Sequence, residues 1–245
     1  MDRMLYVAMS GAQQTMRALQ TTSNNLANVN TTGFRADLNH FLSTPLEGAA
    51  PITRDFVQLE SSGSNFDHGG LITTGRDLDV AIAKDGFFTV ISPTGDQAYT
   101  RAGDLHLDSA GFLVNGSGYQ MVGNGGPVAL PPFEKIEIGG DGTISVRPIG
   151  AASQELVVID RLSLVNPDVA ELSKGEDGLF RLEGQAAPVD ASVRVVAGAV
   201  ESANVNAVSA LVEMVELSRE FETQVKLMRE ADDNAERAQQ LMGDG

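Results

Sequence analysis

The chain has 245 residues, a formal net charge of -16, 26 glycines and no cysteine. So acidic a surface excludes nucleic acid and anionic lipid as natural partners, because phosphate-rich surfaces are bound through a basic face that releases counterions. The missing cysteines exclude a disulfide frame, a thiolate metal site and a thiol nucleophile, while 42% hydrophobic residues suffice for one sizeable core or two modest ones.

The first element is an amphipathic helix. Leu5, Met9, Ala12, Met16, Leu19, Ser23 and Leu26 follow a 4-3 spacing, with Gln13, Gln14, Arg17 and Gln20 on the other face. Asp2, Arg3, Ser10, Gln13 and Gln14 interrupt any apolar run, so no cleaved secretory signal is expected here. Nothing approaches the roughly 20 apolar residues of a membrane span, so no membrane insertion is expected either.

The helix runs into Ser23-Asn24-Asn25-Leu26-Ala27-Asn28-Val29-Asn30-Thr31-Thr32-Gly33-Phe34. The stretch from Asn30 reads as a C-terminal cap ending at Gly33. Asn24 and Asn28, four apart on one face, read as registry devices, since a carboxamide is a poor helix former that is tolerated where its partner sits. Ala27-Asn28-Val29-Asn30 recurs as Ala203-Asn204-Val205-Asn206, one copy closing the first helix and the other opening the last.

Residues 35–75 show little periodicity and carry Pro45, Gly48, Pro51, Gly63, Gly69 and Gly70, which predicts a long irregular or extended connector. From Leu78 the period becomes two. Leu78, Val80 and Ile82 alternate with small or acidic residues, Asp85-Gly86 makes a turn, and Phe87-Phe88-Thr89-Val90-Ile91 follows. Turn chemistry at 92–96, 108–111, 115–118 and 139–142 separates further short runs, with the longest strand expected over 156–164 and others at 179–182 and 193–196. Strands at this spacing without helical patterns between them predict an all-β sandwich or barrel.

The chain ends in a second stripe: Ala207, Ala210, Met214, Leu217, Phe221, Gln224, Met228, Ala231, Ala235, Ala238 and Met242, widened by Val208, Leu211, Val215 and Val225. As one helix it would run roughly 54 Å, too long to bury its face on a helix of half that length. Sustained 4-3 spacing marks helix-on-helix seams, so the two ends are expected to pair with each other or with neighbouring subunits. The fold class is therefore α+β: long N- and C-terminal helices forming a coiled-coil-like layer, with a central all-β domain. The expected boundaries are 1–34 for the first helix and its Asn-rich end, 35–75 for the connector, 76–200 for the β-rich domain and 201–245 for the last helix. The candidate assembly interface is Leu5, Met9, Ala12, Met16, Leu19, Asn24, Asn25, Leu26, Asn28, Asn204, Asn206, Leu211, Met214, Leu217, Phe221, Val225, Met228, Ala231 and Ala235.

No residue pattern calls for catalysis, a cofactor or a metal. A glycan-cleaving enzyme would need two carboxylates about 5 to 9.5 Å apart; Asp77 with Asp79, or Asp104 with Asp108, could supply them, but acidic residues in turns are the background of so acidic a chain. His40, His68 and His106 are scattered without a ligand or triad pattern. The glycines from Gly116 to Gly126 do not lie between a strand and a helix, so they make no phosphate cradle. An adhesin-like binding module would use the β-domain and leave both terminal stripes idle.

Three ordered motifs carry a resemblance. The stretch from Ser23 to Arg35 is similar to the N-terminal signature of the bacterial flagellar axial proteins, the rod and hook family. The middle resembles the same family in Leu78-Asp79-Val80-Ala81-Ile82, Asp85-Gly86-Phe87-Phe88, Tyr99-Thr100-Arg101-Ala102-Gly103 and Gly118-Tyr119, and the end does so in Ser202-Ala203-Asn204-Val205-Asn206 followed by Met214, Phe221 and Glu222. Arg76-Asp77 after Gly75 departs from the neutral turn expected there. The opening Met1 to Gly11 and the short length look most like proximal-rod members, with distal-rod members as the alternative. The resemblance implies a structural subunit of the basal-body rod in the periplasm, exported by the flagellar type III apparatus without a cleaved signal. Its partners would be copies of itself, other rod subunits and that export apparatus, with the terminal helices forming an inner tube and the β-domain an outer layer.

Overall fold

The computed structural model describes residues 2–45, 55–150 and 156–243, apart from the side chains of 2–4, 6, 40–45, 55–62, 235–236 and 238–243. The chain forms two compact units, one from residues 1–28, 37–65 and 205–245, the other from 29–36 and 66–204.

The first unit holds both long helices, α1 (Asp2–Ala27) and α2 (Ala207–Gly243), which pack against one another. It also holds an antiparallel hairpin of β1 (Asp37–Pro45) and β2 (Asp55–Ser64), with a bulge between His40 and Phe41. The segment read as an irregular or extended connector thus carries a registered strand pair; Pro45 closes β1, and Gly48 and Pro51 lie outside the described residues. At the end of α1 the expectation of a cap at Gly33 gives way to an earlier stop at Ala27. There the Asn28 side chain donates back to the Asn24 carbonyl at 3.0 Å, the kind of local bond by which asparagine leaves a helix. At the start of α2, Asn206 is the cap, its Oδ1 accepting from the N–H groups of Val208 and Ser209 at 3.0 and 3.1 Å.

The second unit is built of short antiparallel strands. They are β3 (Leu71–Thr73), β4 (Val80–Ile82), β5 (Phe87–Ile91), β6 (Gln97–Thr100), β7 (His106–Leu107), β8 (Leu113–Val114), β9 (Gln120–Gly123) and β10 (Gly126–Pro127). After them come β11 (Phe133–Ile138), β12 (Thr143–Pro148), β13 (Val157–Arg161), β14 (Leu164–Val165), β15 (Leu172–Lys174), β16 (Phe180–Leu182), β17 (Val195–Ala197) and β18 (Ala199–Glu201). The largest sheet has the order β15-β16-β6-β5-β9-β8-β7, with β10 on β9 and β14 on β5. β11-β12-β13 form a second sheet, and β17-β4 and β18-β3 form two ribbons.

The period-two rule explains how the core divides. Phe87 and Phe88 are neighbours on β5 and therefore point to opposite faces. Phe88 joins the main core with Val90, Leu105, Leu113, Met121, Ile144 and Leu164, while Phe87 packs with Tyr99, Val165 and Phe180. The Phe87 and Phe180 rings are 5.5 Å apart between centroids in a tilted pair. The expected central all-β domain and two terminal helices are both present.

Candidate assembly surfaces and a charged junction

In the helical unit the α2 stripe coincides with the face that loses solvent. Ala210 and Ala231 are buried, and Ala207, Met214, Leu217, Phe221, Gln224, Val225 and Met228 are half-buried. Ala235, Ala238 and Met242 belong to α2, but their side chains lie outside the described residues. On α1 the buried face is displaced from the stripe read in the sequence. It runs Ala8, Ala12, Thr15, Ala18 and Thr22, all 6% exposed or less. Of the expected series only Ala12 is buried; Leu19 and Leu26 are half-buried, and Ser23 is exposed.

The reason is steric. Small residues on the buried face of α1 let its backbone come close to the elements packed on it. Gly11 illustrates the closeness, since a Cβ there would lie 3.0 Å from the Gln224 carboxamide carbon. Consequently the large side chains stay outside: Leu5, Met9 at 52% and Met16 at 48% are exposed. On the first turns of α2, Val208, Leu211, Val212 and Val215 are also exposed, Leu211 at 50%. Their spacing of three, one and three places them on one side of the helix.

The asparagines serve the subunit itself. Asn25 pins the start of β1, its amide donating to the Asp37 carbonyl at 2.9 Å and its Oδ1 accepting from the Asp37 N–H at 2.8 Å. Asn24 is exposed and Asn28 half-buried. In the β-unit, Asn204 accepts from the Ala36 N–H at 2.7 Å and donates to the Asp67 carbonyl at 2.9 Å, while its own N–H reaches the Phe34 carbonyl at 3.2 Å.

That amide lies beside a buried charge cluster where three of the motif stretches meet. Glu201 is 1% exposed, and Arg35 and Arg101 are 2% exposed. Glu201 Oε1 accepts from Arg35 Nη2 at 2.9 Å and from the Gly69 N–H at 3.0 Å; its Oε2 accepts from Nε and Nη2 of Arg101, both at 2.6 Å. Arg101 Nη1 donates to the carbonyls of Lys84 and Gly86, and Arg35 Nη1 donates to that of Asp67. Burial pushes both guanidiniums below their ordinary pKa, and the Glu201 charge works against that push.

His68 borders the cluster, its Nδ1 3.1 Å from Arg101 Nη2 and its Nε2 3.2 Å from Asp85 Oδ1. Since the guanidinium can only donate, Nδ1 accepts and Nε2–H donates to Asp85 in the neutral ring. Lys174 Nζ donates to the Arg35 carbonyl at 2.7 Å and sits 4.0 Å above the Phe34 ring. Gly33 completes the junction. Its φ is +66°, its N–H donates to the Glu201 carbonyl at 2.8 Å, and a Cβ would fall 2.3 Å from the Arg101 carbonyl carbon.

Arg35, His68, Asp85 and Arg101 also line a cleft of about 540 Å³. Its buried cations already meet Glu201 and a set of backbone carbonyls, so the arrangement does the work of a clamp rather than of an anion site. Among the described residues no group of three or more His, Asp and Glu side chains could hold a metal ion. Of the carboxylates weighed for catalysis, Asp108 closes a turn by accepting from Ala110 and Phe112, and Asp79 and Asp104 face each other across a bridge. The sequence did contain a signal for the junction: Arg35 and Arg101 are the single charges of their motifs and Glu201 directly precedes the motif from Ser202, and a charge set among uncharged residues calls for a partner if it is buried.

Family models match three parts of the chain: "Flagella basal body rod protein" over residues 5–35, "Flagellar hook protein FlgE/F/G D1 domain" over 81–146 and "Flagellar basal body rod FlgEFG protein C-terminal" over 196–241. The flagellar basal-body rod protein FlgF of Escherichia coli is 39% identical over 249 residues, covering 99% of each chain. FlgF of Salmonella typhimurium is 36% identical over the same share of each. The rod protein FlgG of Bacillus subtilis is 31% identical, covering 95% of this chain and 96% of its own.

Proposed function

This chain belongs to the family of flagellar basal-body rod proteins, and from that premise we propose that it is a FlgF-type subunit of the proximal rod. It is a structural subunit of the basal body and not an enzyme. It assembles with other flagellar axial proteins, copies of itself included, through α1 and α2, which extend into coiled-coil-like seams with the helices of neighbouring subunits. It reaches the periplasm through the flagellar type III export apparatus without a cleaved signal.

One observation carries this reading: after α1 and α2 have packed together, Leu5, Met9 and Met16 on one helix and Val208, Leu211, Val212 and Val215 on the other are still exposed. Burying such side chains against a neighbour is worth about 25 cal/mol per Å² of apolar area removed from water. The asparagines, by contrast, act inside the subunit and set where the helices stop and start.

The test is complementation of an Escherichia coli strain lacking its own FlgF. The chain is expected to restore swimming, and Met16→Asp or Leu211→Asp to abolish it while the purified protein keeps its fold. Rescue of a strain lacking FlgG in its place would move the assignment to the distal rod; undiminished swimming with both aspartate variants would contradict assembly through these stripes.

A further inference from the structure

The chain contains the dipeptide Asn-Gly twice, at Asn115-Gly116 and Asn124-Gly125, and the β-unit treats the two copies in opposite ways. A glycine after asparagine leaves the connecting amide nitrogen unshielded and the backbone free to bring it onto the carboxamide carbon, an encounter within one chain and so at high effective concentration. Whether the two groups meet is decided by what else holds them.

Asn115 is held on every side. It is 1% exposed. Its Oδ1 accepts from the N–H groups of Ser117 and Tyr119 at 3.1 and 2.9 Å, and its backbone closes the same turn with the Tyr119 carbonyl and the Gly118 N–H at 3.0 and 2.8 Å. The Gly116 N–H donates to the Asp104 carboxylate, and a Cβ on Gly116 would lie 1.9 Å from Asp104 Oδ2. Both groups of this copy are therefore occupied. Asn124 and Gly125, by contrast, form the exposed turn between β9 and β10, whose flanking residues Gly123 and Gly126 pair. The Asn124 N–H anchors the turn by donating to the Arg161 carbonyl at 3.1 Å and to Asp160 Oδ1 at 3.2 Å. Among the described residues, nothing bonds the Asn124 carboxamide or the Gly125 N–H. A Cβ on Gly125 would meet Asp160 Oδ2 at 3.7 Å, an ordinary contact, so packing does not demand glycine there.

We propose that Asn124-Gly125 is a site of spontaneous deamidation in the folded protein, and that the fold protects Asn115-Gly116 from the same reaction. The Gly125 nitrogen gives its proton to solvent base and bonds to Asn124 Cγ. The bond from that carbon to the carboxamide nitrogen breaks, and the nitrogen takes up a proton and leaves as ammonia. Water then opens the resulting succinimide at either carbonyl, leaving aspartate or isoaspartate at position 124; one water is consumed, one ammonia released, and nothing is oxidised or reduced. Either product sets a new negative charge beside Asp160, and isoaspartate also lengthens the main chain by one carbon in the turn between the paired Gly123 and Gly126.

The inference does not depend on the assembly reading, and its test is done on the isolated full-length protein. Aged at mildly alkaline pH, the folded chain should gain one dalton at Asn124, localised by fragment-ion mass spectrometry, with Asn115 reacting roughly a hundredfold more slowly. In urea the two sites should react at similar rates, because the difference lies in the fold. Isoaspartate O-methyltransferase with labelled S-adenosylmethionine should methylate the aged folded protein, and this labelling should vanish in Asn124→Gln and fall in Gly125→Ala. Comparable rates at the two asparagines in the folded protein, an unreactive Asn124, or methylation undiminished by Asn124→Gln overturns the proposal.

Discussion

The two units treat large apolar side chains in opposite ways. In the β-unit Phe88, Leu105, Leu113, Met121, Ile144 and Leu164 are all less than 2% exposed, and the single-sided helix problem does not arise because sheet faces cover one another. In the helical unit the buried residues of α1 are alanines and threonines, while Met9 and Met16 remain about half exposed. A complete core marks a part that stands on its own, and a seam that spends its small residues internally and keeps its large ones outside marks a part made for company. The contrast is sharper than amphipathicity alone, because an amphipathic helix that simply roofed its own domain would turn its bulkiest side chains inward.

Substitutions can break each side of the comparison separately. The largest expected effect is in the charged junction: Glu201→Ala leaves two buried guanidiniums without their carboxylate and should cost about 3 to 5 kcal/mol in chemical denaturation of the β-unit. Leu164→Ala in the main core should cost about 2 to 5 kcal/mol in the same measurement, according to how far the site collapses. Gly11→Val drives a branched side chain into the Gln224 carboxamide and should cost about 1 to 3 kcal/mol, read as a lower melting temperature of the helical signal in circular dichroism. Met16→Asp should change the stability of the free subunit by no more than about 0.5 kcal/mol, as for an exposed site, yet remove it from assembled rods. The smallest effect concerns charge: with a net charge of -16, subunits repel each other, so sedimentation should show assembly easing modestly as salt rises towards a Debye length of about 8 Å.

How much of this was legible in the sequence depended on whether neighbours or distant residues decide the outcome. Most strands of the β-unit, the division of Phe87 from Phe88 and the half-buried series on α2 follow from periodicity, a local property, but the long strand expected over 156–164 is broken into β13 (Val157–Arg161) and β14 (Leu164–Val165), which pair with different sheets. The α1 face did not follow from periodicity, because choosing between Met9 and Ala8 requires knowing which elements pack against α1 and how closely they approach it. The hairpin of β1 and β2 was hidden because its pairing is between residues such as Asp37 and Ser64, far apart in the chain, with little alternation to announce it. The junction was the least legible part of the site. Arg35, Arg101 and Glu201 are separated by 66 and 100 positions, and the motifs that contain or adjoin them signalled family membership without saying that a buried ion cluster ties them together.

The central claim is that the exposed stripes on α1 and α2 are covered by neighbouring subunits. The chain has no cysteine, so a single thiol can be placed at Met16 or Leu211 and read without background. The direct measurement is the rate at which a water-soluble maleimide labels Met16→Cys and Leu211→Cys in the free subunit and in isolated basal bodies. Fast labelling of the free protein with strong protection in the basal body is the predicted result; equal rates in the two states would contradict the account.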